Sequence, residues 1–78
     1  MKREELRRLL AANGVRDDAY ELSGGDVDEA YVLGKERGRW VVFYSERGLR
    51  SGVQRFQSED EACRYLYEEL LGDSAARR

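Results

Sequence analysis

The sequence predicts an α+β fold: helix, three-stranded antiparallel meander, helix, packed as a two-layer sandwich. Three observations predict it. Apolar residues recur at helical spacing in EELRRLLAANG. Dense β-branched and aromatic residues fill RWVVFYSE, Arg39 to Glu46. A capping pattern, SEDE, then opens a second run of helical period.

Each element has its own reason. In Glu4 to Gly14, Leu6, Leu9 and Leu10 form one stripe, and Asn13-Gly14 is a stop signal. Val15 to Ala30 reads as a loop, with one short extended piece near Tyr20 to Leu22 and a Gly24-Gly25 break. Ala30 to Glu36 and Arg39 to Glu46 read as strands joined by a tight turn at Arg37-Gly38. Arg47 to Gly52 reads as a looser connection, and Val53 to Gln57 as the third strand. Ser58 is the expected N-cap of the second helix, with Glu61 as its capping-box partner. Ala62, Cys63, Leu66, Tyr67 and Leu70 share that helix's apolar face, and Gly72 ends it. Residues 73–78 are expected to fray.

With 78 residues, the chain is expected to form one small domain, 1–78. Its core must be small, because a domain of this size buries only about 60% of its unfolded surface. One cysteine, Cys63, permits no internal disulfide. No apolar run approaches a membrane span, and MKREELRRLL has no signal-peptide character, so a cytoplasmic location is expected.

Charge is segregated along the chain although the total is only −2. Residues 2–16 are basic, 17–29 contain six acids and no base, 35–55 are basic again, and 59–73 are acidic. Such blocks create local fields.

The hairpin sets up the main functional question. Pairing about Arg37-Gly38 puts Tyr31 opposite Tyr44, Val32 opposite Phe43 and Leu33 opposite Val42, unless a bulge at Gly38 shifts the register. Trp40, Val42 and Tyr44 then point one way, and Val41, Phe43 and Ser45 the other. Two short helices cover one face. The expectation is that Val32, Val41, Phe43 and Phe56 face the helices. Tyr31, Trp40 and Tyr44 then line an open face beside Lys35, Arg39 or Arg55. That face is either ordinary surface covered by arginine stems, or an association surface for a partner or a second copy.

Catalytic readings find little to stand on. The chain has no histidine to serve as a base or ligand. Cys63 lies on an apolar helix face without an activating group, so it reads as structural. Asp26 and Asp28 lack the remaining ligands and spacing of a calcium loop. The reading is a non-enzyme with no cofactor and no metal. The element order resembles the double-stranded-RNA-binding domain, but Glu59, Asp60 and Glu61 stand where that family's phosphate contacts would be. Arm-type integrase domains also use a three-stranded sheet, and Arg39, Arg47, Arg50 and Arg55 offer phosphate contacts. A pI of about 5.2 argues against nucleic acid.

Trp40 to Gly48 reads W-x-V-x-Y-S-E-R-G, and Phe56 to Leu66 reads F-x-S-E-D-E-A-C-x-Y-L. Together with the acidic lead-in Tyr20 to Glu29, this resembles small proteins of Gram-positive bacteria associated with polymorphic toxin loci of the necrotizing-toxin type. The resemblance implies an immunity-like or accessory role, binding a partner protein. An acidic surface suits a basic toxin. The expected partner-binding residues are Asp17, Asp18, Asp26, Asp28 and Glu29 on that surface, or Tyr31, Trp40, Tyr44 and Arg55 on the sheet. The alternatives are a nucleic-acid-binding module and a structural homodimer.

Overall fold

The leucine stripe, the alternating strands and the capped second helix all form in the computed structural model, which describes residues 1–77. Helix α1 spans Arg3–Ala12. Its end is a Schellman turn: Gly14 N donates to Ala11 O (3.1 Å) and Val15 N to Leu10 O (3.0 Å). The accompanying apolar contact pairs Val15 with Leu10, both in the core. A short 3-10 turn at Asp17–Ala19 leads into strand β1, Tyr20–Glu21. Strands β2 (Ala30–Glu36), β3 (Arg39–Glu46) and β4 (Leu49–Phe56) follow. Helix α2 spans Glu59–Gly72, and its N-cap works as expected: Ser58 Oγ accepts from Glu61 N at 3.1 Å.

The α+β class holds, and two features of the sheet differ from expectation. Among the described residues it has four strands in the order β1-β2-β3-β4, because β1 pairs in parallel with β2. The meander is therefore part of a mixed sheet. The second difference lies at Arg47-Gly48, which is a tight turn rather than a loose one. Arg47 and Gly48 both take positive φ (53° and 76°), repeating Arg37 and Gly38 (52° and 79°), the signature of a type I′ hairpin. Strand β4 consequently starts at Leu49. The surplus residue is absorbed between Ser51 and Gln54, where Gly52 (φ 61°) and Val53 face the single residue Phe43.

The β2–β3 register is the symmetric one, with Tyr31 opposite Tyr44, Val32 opposite Phe43 and Leu33 opposite Val42. The faces, however, are exchanged. Leu33 and Val42 pack with Leu6, Leu10, Ala62, Cys63, Leu66 and Leu70, so the Tyr31–Trp40–Tyr44 side is the one beneath the helices. Phe56 also packs there, as expected. Val32, Val41 and Phe43 form a separate cluster on the opposite face. That face is closed as well: the three are 1%, 1% and 5% exposed. The segment between β1 and β2 crosses it and lays Val27 against the cluster, while Ser45 Oγ donates to Val27 O at 2.8 Å.

The exchange has a volumetric cause. A crossing segment with one valine fills a shallow face of valines. The deeper aromatic and leucine set needs the larger side chains of two helices. The crossing depends on two glycines. A Cβ on Gly34 would stand 2.9 Å from Gly24 Cα, so the two backbones pass closer than any side chain allows.

The chain end also departs from expectation. Residues 74–76 form a 3-10 turn, Ala76 is buried in the core, and Arg16 N donates to Ala76 O at 2.9 Å. The segment 73–77 is docked, because Ala76 covers the space beside Val15 that the short α1 leaves open. Arg78, the last residue of the expected frayed tail, lies outside the described residues. Among the described residues no helix is long and apolar enough to cross a membrane.

Candidate binding cleft

Helix α2 begins beside the Trp40–Phe56 pair of the sheet and runs toward the Tyr31–Tyr44 pair. At that far end, its last turns and the sheet leave a cleft of about 380 Å³. Tyr31, Val42 and Tyr44 form its floor, Ser51 and Gly52 one lip, and Tyr65, Glu69 and Asp73 the other. The lip from α2 follows from spacing: positions 65, 69 and 73 repeat every four residues and make one stripe. Tyr31 and Tyr44 meet edge to face, with centroids 5.1 Å apart and planes at 70°. Tyr65 is held by Phe56 at 5.3 Å.

Acids dominate this end. Burial pushes the Tyr31 phenol above the ordinary tyrosine range, and the charges of Asp73 and Glu69 push it further. Tyr44 is raised by burial and then by Glu46, Glu29, Asp73 and Asp28. Tyr65 is raised by burial and by Glu69. Among the described residues no basic side chain lines the cleft. Arg47 lies in the adjoining turn, where its backbone N donates to Asp28 Oδ1 at 2.5 Å. Asp73 Oδ1 also accepts from Ala75 N at 3.0 Å, which fixes its position.

The opposite end of the sheet is basic. Arg37, Arg39 and Arg55 surround a shallow hollow with Glu36. Arg50 runs over Phe43, its Cζ 4.1 Å from the ring centroid, and makes a two-pronged bond to Glu36 (3.2 and 2.9 Å). Glu36 is held below the ordinary carboxylate range by that bond. The charge blocks of the sequence map only in part onto these two ends: Glu59, Asp60 and Glu61 open α2 beside Trp40 and Phe56, and Arg47 turns at the acidic end.

The structure divides the sequence-predicted binding residues among four places. Asp28, Glu29, Tyr31 and Tyr44 meet at the cleft end. Trp40 and Arg55 lie at the other end. Trp40 is half-buried, with Arg3 and Lys35 each 5.2 Å from its ring centroid, and so does not form an open face with the tyrosines. Asp17 and Asp18 sit on the 3-10 turn after α1, where Asp18 pairs with Arg16 at 3.5 Å. Asp26 is exposed in the crossing segment. The four arginines proposed for phosphate do not form one patch either: Arg47 is at the acidic end and Arg50 is engaged by Glu36.

Tyr65, Glu69, Asp73, Ser51 and Gly52 were not visible as site residues in the sequence. The signal was the four-residue repeat on α2, which reads equally well as a solvated helix face. Cys63 is fully buried and its thiol is pushed up to about 11, first by burial and then by Glu59. Among the described residues, no three His, Cys, Asp or Glu side chains come together as a metal site.

No family model matches this chain, and neither a curated protein nor a solved structure matches it.

Proposed function

We propose that this is a non-catalytic protein-interaction domain of bacterial origin that works in the cytoplasm and docks a partner over the tyrosine cleft and its acidic rim. The observation that carries the reading is the cleft itself. It combines half-buried tyrosine rings, which suit an interface, with the carboxylates of Glu69 and Asp73 on one lip and the charges of Asp28, Glu29 and Glu46 nearby. The immunity-like role implied by the sequence resemblance is the specific form of this reading, since an acidic face steers to and blocks a basic partner.

The test is capture of a partner from a bacterium that carries such a gene, using wild type and Ser51→Trp, which closes the cleft from its exposed lip. A protein retained stoichiometrically by wild type after nuclease treatment, and lost with a folded Ser51→Trp, supports the reading. Equal retention by both removes the cleft from it.

The basic hollow of Arg37, Arg39 and Arg55 favours a second reading, nucleic-acid binding. That binding would weaken steeply with salt and fail in Arg39→Glu/Arg55→Glu, while Ser51→Trp would leave it intact.

A further inference from the structure

The chemistry of the cleft specifies what should enter it. Three tyrosines wall it, and ring faces attract cations. Two carboxylates, Glu69 and Asp73, stand on one lip, and among the described residues no base stands opposite them. The third observation concerns the helix. Glu69 lies in the last turn of α2 and Asp73 is its C-cap, at the negative end of the helix dipole, and that last turn contains no basic residue. Acids there work against the fold's stability. A cation placed in the cleft would relieve the helix end, both carboxylates and the fields of Asp28, Glu29 and Glu46 together.

The geometry points to an arginine side chain of a partner protein as the occupant of the cleft between Tyr31, Tyr44, Tyr65, Glu69 and Asp73. A planar guanidinium stacks on an aromatic ring while its edge donates to a carboxylate. An ammonium does the second only as a point charge. This inference rests on the protein-interaction reading above and names the chemistry of that same site.

The test is a titration of the whole chain, carrying ring-labelled tyrosine, with N-acetyl-arginine amide, followed by NMR. N-acetyl-citrulline amide is the control, since it keeps the shape and removes the charge. Saturable shifts of Tyr31, Tyr44 and Tyr65 are expected with the arginine probe, with citrulline about ten-fold weaker or worse. Glu69→Gln/Asp73→Asn should weaken the arginine probe by about ten-fold and leave the melting temperature equal or higher, since asparagine still caps residues 74–76. Absence of saturation in wild type overturns the inference. Equal binding of citrulline also overturns it, yet leaves the cleft standing as a protein-docking site. Retention by both wild type and Ser51→Trp is the separate failure of the underlying reading. If arginine binding is accompanied by a concentration-dependent mass that the double variant abolishes, the arginine is supplied by a second copy, and the foreign partner is overturned.

Discussion

The sheet buries apolar side chains on both of its faces, but by different means. On one face, Leu33 and Val42 meet six apolar side chains from α1 and α2, each of them fully buried. On the other, Val32, Val41 and Phe43 meet Val27 and Val53, and the guanidinium of Arg50 lies over the Phe43 ring. The difference teaches that burial alone does not identify a core. A residue 1% exposed under a single crossing segment has few neighbours to lose, and its cover can lift without the helices moving.

The comparison breaks if the thin face is worth as much as the thick one. Leu66→Ala removes a fully buried leucine at the centre of the helix side and should cost about 3–4 kcal/mol. For a domain this small, that is a large share of total stability. Chemical denaturation reads it directly. Gly34→Ala comes next. Its methyl would meet the Gly24 backbone at 2.9 Å, and backbone does not yield as a side-chain end does. A loss of about 1–3 kcal/mol is expected. Hydrogen exchange should show residues 22–29 losing protection while α1 and α2 keep theirs. Val27→Ala, at a half-buried position, should cost about 1 kcal/mol. A cost equal to that of Leu66→Ala would make the crossing segment a principal part of the core.

Two smaller effects sharpen the contrast through pH. Glu36 and Glu21 are both held below the ordinary carboxylate range, Glu36 first by its bonds from Arg50 and Glu21 first by its bond from the Ser23 hydroxyl. A lowered folded pKa contributes stability that is present above the ordinary carboxylate range and is lost as pH falls through the folded value. The loss below about pH 4 should therefore be shallower in Glu36→Gln than in wild type. The helix side reports in the opposite direction. The Cys63 thiol, raised to about 11, contributes stability that is complete below the ordinary thiol range and is lost as pH rises toward that value. At neutral pH it should resist alkylation until α2 opens, so its labelling rate measures the thick face alone. Rapid native-state labelling would contradict the burial of Cys63.

Where sequence reasoning succeeded, the signal was local. The stripe of Leu6 and Leu10, the Ser58–Glu61 cap and the Arg37-Gly38 turn are each set within a few residues, and all three formed as expected. Apart from the Arg47-Gly48 turn, a local signal identical to Arg37-Gly38 yet read as a looser connection, the failures were global. Whether Tyr31 or Val32 faces the helices depends on the volume of two distant covers, and strand alternation is identical in either case. The loop reading of residues 22–29 concealed a cover, because glycines, acids and one valine carry no periodic pattern. Asp28, Glu29, Tyr31 and Tyr44 were legible as candidates, since acidic and aromatic character is visible residue by residue. Tyr65 and Asp73 were not, because a cleft lip is defined by what stands across from it.

Strand β4 is the last of its sheet, and among the described residues its outer edge has no neighbouring strand over eight residues. Leu49 stands on it 73% exposed. Such an edge invites another chain to zip alongside and seed a fibre. The irregularity at Gly52 and Val53 interrupts the row of bonding groups midway, and Arg50 and Arg55 set positive charge on either side of it. The bulge therefore leaves no uninterrupted template along this edge for a growing filament, and a variant without it should form fibres sooner than this chain does at equal concentration.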